Sequence, residues 1–280
     1  MTFDLRGVVQ GVGFRPAVYR LAELAGLGGS IRNCAGTVRL CLEGPRQQID
    51  AFLADLPGKL PHQAALDEVR LVSSEPLASG AYDGVFQIAE SAGDDPCEIV
   101  IPADLALCAD CRRDLFDPAD RRYGYPFTTC TNCGPRYTVI NATPYDRERT
   151  TMAAFRLCAA CRSEYADPRD RRFHAESMAC PACGPRVWLE DPSGRRVETN
   201  ALQRARSALR DGAVVAVRGL GGFLLAADAR NRSTLAALRR RKTRPDKPFA
   251  VMAPDLGVVR EQCVVDEAAA TALRSAAGPI

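Results

Sequence analysis

The sequence predicts an α+β chain of several domains, and three observations carry the prediction. Residues 1–91 alternate short apolar strands with helices in the order β-α-β-β-α-β, the order of a ferredoxin-like sandwich. Residues 108–183 hold four CxxC pairs. From residue 198 onward, helix and strand alternate as in an α/β layer.

Phe3–Val9 is a short apolar strand, followed by Gln10-Gly11-Val12-Gly13-Phe14-Arg15. Pro16 suits a helix's first turn, and Val18, Leu21, Ala22 and Ala25 then recur at helical spacing up to Gly26 or Gly28. A glycine-rich turn thus leads from a strand into a helix start. Backbone N–H groups converge there, the helix end adds partial positive charge, and Arg15 adds a bidentate donor, which together make an oxyanion cradle. A plain tight turn with a surface arginine fits the glycine spacing as well. Ser30–Cys34 and Thr37–Glu43 read as a hairpin around Ala35-Gly36. Pro45–Leu56 is a helix with Ile49, Phe52, Leu53 and Leu56 on one face, and Val69–Val72 and Val85–Ile88 are short strands, the latter a candidate edge strand. A polar linker at 92–96 follows.

The CxxC pairs are Cys108/Cys111, Cys130/Cys133, Cys158/Cys161 and Cys180/Cys183, separated by 18, 24 and 18 residues. Residues 108–136 recur at 158–186 with 14 of 29 positions identical, including the DPxDRR and CGPR runs. Domain 105–190 is therefore a tandem repeat of one small cysteine module, with units 108–133 and 158–183. Thiolates two residues apart suit one tetrahedral ion, and paired knuckles suit a structural Zn²⁺. The repeat assigns Cys108, Cys111, Cys130 and Cys133 to one zinc and Cys158, Cys161, Cys180 and Cys183 to another; an interleaved pairing is the structural rival. Four cysteines leave no open coordination position, so both sites read as structural. The DPxDRR runs are read as braces of the loops between knuckles, because each Arg pair has acidic neighbours in its own run. His174 stands where the first repeat has Gly124, so it is no shared ligand; a loop contact is expected of it, with a functional role as the alternative.

In 198–280, Ala201–Arg210 and Leu235–Arg241 read as helices and Ala213–Val217 and Phe249–Met252 as strands, the first of them buried. Gly219-Leu220-Gly221-Gly222 follows the first strand. A cationic run from Arg239 to Lys247 could be a solvated helix end, a nucleic-acid patch or a polyphosphate site. The nearby glycine-rich loop favours phosphate.

Hydrophobic residues make up 46% and charged residues 25% of the 280, as in ordinary globular proteins. No apolar run reaches the roughly 18 residues of a membrane span, and MTFDLRGVVQ is unlike a signal peptide, so a cytoplasmic location without membrane partner is expected. The formal charge of +3 falls to −1 once eight thiolates bind two Zn²⁺, so the basic balance is no evidence for a nucleic-acid partner, and none is expected.

VVQGVGFRPAVYRLA followed by RNCAGTV resembles acylphosphatase. The resemblance implies hydrolysis of a carboxyl–phosphate anhydride, with Arg15 and the backbone of Gln10, Gly11, Val12, Gly13, Phe14 and Arg15 binding phosphate and Asn33 orienting the attacking water. GLGGFLLAADA and RRKTRPDKPFAVM look like a YrdC-type domain, with Leu224 where that family carries a His. In that order, with the cysteine lattice between them, these segments resemble the HypF family, carbamoyltransferases of [NiFe]-hydrogenase maturation. This implies carbamoyl phosphate as substrate and ATP, with Mg²⁺, for carbamoyl adenylate formation, with Lys242, Arg244 and Lys247 at the nucleotide. It also implies transfer to the C-terminal cysteine of HypE through a domain beyond this chain, whose YrdC-like part is expected to be truncated at Gly278-Pro279-Ile280. The rival from another class is a zinc-dependent RNA- or protein-binding module without catalysis. Arg15 with Asn33 separates the two, since binding alone needs neither.

Overall fold

The computed structural model describes residues 1–34, 36–74, 84–92, 101–197 and 199–275. Ala35 of the predicted hairpin tip, nearly all of the predicted linker and the chain's last residues lie outside these. Two compact units are formed, Met1–Pro185 and Arg186–Arg274.

The first unit begins with the expected sandwich. β1 (Thr2–Val8), α1 (Phe14–Leu24), β2 (Gly28–Cys34), β3 (Thr37–Glu43), α2 (Arg46–Lys59), β4 (Ala65–Ser73) and β5 (Phe86–Ile88) follow in order. The sheet order is β4-β1-β3-β2-β5, with β5 the edge strand, parallel to β2. Alternation explains the layers. Phe3 and Leu5 of β1, Ile31 of β2 and Val38, Leu40 and Leu42 of β3 face the helices, where they meet Val18 and Ala22 of α1 and Ile49, Phe52 and Leu56 of α2. Gly29 shows why this position carries no side chain: its φ is 137° and a Cβ would stand 2.1 Å from the Cys41 carbonyl oxygen. On the other sheet face, buried Asp4 accepts from Arg39 at 2.9 Å and from Arg70 at 2.8 Å.

Each cysteine module starts a short helix directly after its first cysteine: α3 (Ala109–Phe116) and α4 (Ala159–Ala166). The two modules are braced reciprocally. Arg121 and Arg122 of the first reach Glu164 of the second, and Arg171 and Arg172 of the second reach Asp114 of the first, the equivalent position of the repeat. Arg122 Nε also donates to the Ala179 carbonyl (2.9 Å), and Arg172 Nε to that of Thr129 (3.1 Å). Arg121 donates to Cys161 Sγ at 3.0 Å and Arg171 to Cys111 Sγ at 2.9 Å. The expected bracing exists, with one correction. The acidic neighbours within each DPxDRR run do not pair with the paired arginines; Asp117, Asp120, Asp167 and Asp170 accept backbone N–H groups two residues on and shape the turns. This frees the arginines to cross to the other module.

The second unit holds a small hairpin of β6 (Leu189–Glu190) and β7 (Arg196–Val197), then α5 (Ala201–Arg210), β8 (Val215–Gly219), β9 (Gly222–Ala226), α6 (Arg232–Arg241), α7 (Leu256–Gln262) and α8 (Glu267–Leu273). Both predicted helices form. Two strand expectations are corrected. β8 pairs only with β9 among the described residues, and Val217, Phe223 and Leu224 are exposed, so the expected buried strand is an open hairpin arm. Phe249–Met252 is not a strand: β8 and β9 offer it no pairing, Phe249 is instead drawn under the guanidinium groups of Arg239 and Arg244, and Met252 is exposed. The glycine-rich loop is the tight turn of this hairpin, with Gly219 opposite Gly222. Among the described residues no helix is long and apolar enough to cross a membrane.

Candidate active site

The glycine-rich turn holds two left-handed residues, Gly11 (φ 72°) and Gly13 (φ 73°), and Gly13 caps α1. With φ positive at both, the chain folds back and delivers Phe14 and Arg15 into the first helical turn. N–H groups of a first turn have no intrahelical acceptor, and no side chain caps these. The Gln10 side chain fixes the turn: its Nε2 donates to the carbonyls of Cys34 (3.1 Å) and Thr37 (3.2 Å), tying the turn to the β2–β3 hairpin. Phe14 and Val12 are buried in the sandwich core and anchor it from below.

Arg15 and Asn33 arrive from α1 and the end of β2 and converge on one atom. Asn33 Nδ2 donates to the Tyr145 carbonyl oxygen at 3.2 Å, and Arg15 Nη2 lies 3.5 Å from the same oxygen. Asn33 Oδ1 is buried and has no hydrogen-bond partner, which leaves it an acceptor for a small molecule. Both residues are closed off from solvent, at 7% and 1% exposure.

Residues that the sequence reading placed elsewhere, or passed over, build the cover. Arg15 Nη2 pairs with Asp146 and Glu176, each at 3.0 Å. Tyr145 N donates to Gln10 Oε1 at 3.1 Å. Arg136 donates from Nε to the Gly11 carbonyl while its other nitrogens bind the carbonyls of Cys133 and Thr131, linking the turn to the first cysteine module. On the second module, Arg20 of α1 binds the carbonyls of Pro168 and Asp170 at 2.7 and 2.8 Å. His174 does more than the expected loop contact. It takes a left-handed backbone (φ 50°), wedges its ring against Tyr165 and Phe173, and lines the same cavity as Arg15 and Glu176. Burial, helped by the Arg15 charge, pushes its pKa down to about 4, so the ring is neutral near pH 7. Burial likewise pushes Glu176 up to about 7, against the opposing pull of Arg15 and Tyr165. One signal for these residues was in the sequence: His174 and Glu176 replace Gly124 and Pro126 in the repeat, so the second copy diverges where it meets Arg15. Tyr145 and Asp146 lie between the repeats, where no periodicity marks them.

The eight module cysteines gather in two sets, Cys108, Cys111, Cys130 and Cys133, and Cys158, Cys161, Cys180 and Cys183, with all sulfurs of a set within 4.8 Å of one another. Close pairs stand at 3.7 Å (Cys108–Cys130), 3.8 Å (Cys130–Cys133) and 3.6 Å (Cys161–Cys183). Four thiolates at about 2.3 Å from one tetrahedral ion require edges of about 3.8 Å, so both sets fit structural zinc. In the second unit, Lys242 and Lys247 are exposed. Arg244 is turned into its own loop, donating to the carbonyls of Lys247 and Pro248 and stacking on Phe249.

Three known families match stretches of the chain. The family described as acylphosphatase matches residues 1–82, the HypF finger matches 107–140 and 157–190, and the family described as telomere recombination, of the Sua5/YciO/YrdC type, matches 207–280. Carbamoyltransferase HypF of Synechocystis sp. is 48% identical over the whole chain. This chain belongs to the HypF family. It spans about a third of the length of its curated HypF relatives, 36% of the Synechocystis protein and 34% of Cupriavidus necator HypF2, to which it is 46% identical. Among solved structures, full-length HypF in its phosphate- and nucleotide-bound form superposes with a TM-score of 0.88 at 38% identity, covering 98% of this chain and 36% of that one. The HypF of T. kodakarensis gives 0.87 at 42% identity, covering 98% and 34%.

Proposed function

We propose that this chain carries the carbamoyl-phosphate chemistry of a HypF carbamoyltransferase, with hydrolysis of carbamoyl phosphate at the Arg15–Asn33 site. The observation that supports this best is the convergence of Arg15 and Asn33 on one oxygen beside an uncapped helix start. A mixed anhydride is already activated, so the protein has two tasks: neutralising phosphate charge and orienting water. Arg15 and the N–H groups of residues 10–15 do the first. Asn33, too weak a base to take a proton, does the second by hydrogen bonding. The enclosure by Tyr145, His174 and Glu176 favours a small acyl group such as carbamoyl over bulky ones, and it keeps bulk water from the labile carbamate product.

In the same reading, carbamate is condensed with ATP and Mg²⁺ in the YrdC-like part, giving carbamoyl adenylate and pyrophosphate, with Lys242, Arg244 and Lys247 at the nucleotide. The carbamoyl group then passes to the C-terminal cysteine of HypE. The nucleotide-bound state of the solved HypF relative supports the ATP step. Lys242 and Lys247 are free to meet phosphates as they stand, whereas Arg244 acts first by shaping the loop that presents them.

Phosphate release from carbamoyl phosphate, measured on this chain, tests the first step. Turnover that Arg15→Ala and Asn33→Ala each lower steeply to a measurable residual rate is expected; turnover unchanged in Arg15→Ala would sink the reading. Carbamoyl-phosphate-dependent exchange of pyrophosphate into ATP, measured on the protein extended to the length of its relatives, tests the second.

A further inference from the structure

We propose that Glu176, supplied by the second cysteine module, is the positioning residue of Arg15, so that the sandwich's candidate active site is completed by a residue from outside the sandwich. The catalytic consequence rests on the function proposed above; the positioning itself does not.

Arg15 meets Tyr145, Asp146 and Glu176 through a single nitrogen, Nη2, and all three partners come from outside the sandwich. Nothing in the sandwich supplies a carboxylate to it among the described residues. Contacts gathered on Nη2 leave Nε–H and Nη1 without a protein acceptor among the described residues, each a donor that a phosphate oxygen can take.

The two carboxylates differ in kind. Glu176 is fixed at both carboxylate oxygens and its carbonyl: Oε1 on Arg15 (3.0 Å), Oε2 accepting from Tyr165 OH (2.8 Å) and Arg147 N (3.0 Å), and its carbonyl accepting from Arg147 Nη1 (2.6 Å). Its side chain is 2% exposed, against 24% for Asp146. A carboxyl held this way keeps the guanidinium in one orientation. Asp146, more open to water, is held less firmly on the same nitrogen. The repeat adds an independent argument. The modules keep their cysteines and crossing arginines, yet positions 174–179 read HAESMA where the first copy reads GYPFTT. The copy docked on Arg15 is thus the one that acquired the carboxyl.

The experiment combines two readouts on the zinc-loaded protein. In the first, ¹⁵N NMR of the arginine guanidinium groups should resolve separate, slowly rotating Nη signals for Arg15, assigned by their loss in Arg15→Lys. These should collapse to averaged signals in Glu176→Ala and persist in Asp146→Asn. In the second, carbamoyl phosphate hydrolysis by Glu176→Ala should fall about 100-fold in kcat/KM, the scale of an ångström-sized misplacement, with part of the loss in kcat. Glu176→Ala should also cost nothing further in an Arg15→Ala background. Glu176→Gln keeps an acceptor for Arg15, should recover part of the loss, and serves if the alanine variant folds poorly. Hindered rotation that survives in Glu176→Ala, or costs that add in the double variant, would overturn the proposal. Absent turnover in the wild type would instead refute the proposed hydrolysis and leave the NMR test of Glu176 standing.

Discussion

Removing the charge at Glu164 tests whether the two cysteine modules are one folded object. Its carboxylate takes Arg122 at 3.1 and 2.5 Å and Arg121 at 3.0 Å, all from the other module. The Arg122 side chain is 1% exposed and Glu164 20%. Burial alone would raise the Glu164 pKa, but Arg122 and Arg121 outweigh it and bring it down to about 2, so the group is fully ionised near pH 7. Breaking a buried pair at one end costs about 3–5 kcal/mol because the partner is left charged and unpaired. Glu164 is partly open to water, and Gln keeps one acceptor, so Glu164→Gln should cost ~2–3 kcal/mol by scaling down from that range. Arg122→Gln should cost a similar amount, since it also strands the Ala179 carbonyl. The assay is urea unfolding of the zinc-loaded protein, followed by zinc release to a coloured chelator, on both single variants and the double. If the two side chains act on each other across the module boundary, the double variant should fall short of the summed single costs by at least about 1 kcal/mol. Costs that add to within about 0.5 kcal/mol would refute the cross-brace.

Three other perturbations have defined outcomes. Burial works against the Asp4 carboxylate, but Arg39 and Arg70 hold its pKa below the ordinary 3.8, so its stabilisation is complete above that pH and is lost as pH falls through the depressed value. The thermal-stability gap between wild type and Asp4→Asn should therefore be widest near neutral pH and narrow below pH ~4. Metal analysis should find about two zinc per chain. Gly134→Ala, whose Cβ would stand 2.1 Å from Thr129 Oγ1 at a φ of 88°, should release the first module's zinc faster while leaving the second's rate nearly unchanged. Charge reversal at Lys242 or Lys247 should leave the melting temperature within a degree or so of wild type, because surface changes away from contacts stay within about 0.5 kcal/mol. Arg244→Ala should lower it, since the loop carbonyls of Lys247 and Pro248 lose their donor.

Local rules made much of this chain readable. The sandwich followed from strand alternation and the helical spacing of Val18, Leu21 and Ala22, and α5 ends where its pattern ends. The zinc sets followed from a 50-residue self-similarity that fixed which knuckles share a centre. Reading failed where the partner is remote. Phe249–Met252 has the composition of a strand, but strands need a pairing edge, and the edge is a property of the neighbours. The DPxDRR carboxylates looked like natural partners for adjacent arginines, yet backbone N–H groups claimed them and the arginines crossed to the other module.

The sequence by itself determined the element order of the sandwich and the two cysteine sets, because each depends on residue types at short or regular spacing; Arg15 and Asn33 were singled out by the resemblance to acylphosphatase. Tertiary structure alone decided what surrounds that pair. Tyr145, Asp146 and Glu176 come from 112 to 161 residues away in the chain to meet Arg15 and Asn33. A lone Glu beside a knuckle carries no local sign of what it will face. Folding brings it against a buried guanidinium, where exclusion of water and the Arg15 charge set its behaviour in a way its sequence context does not convey.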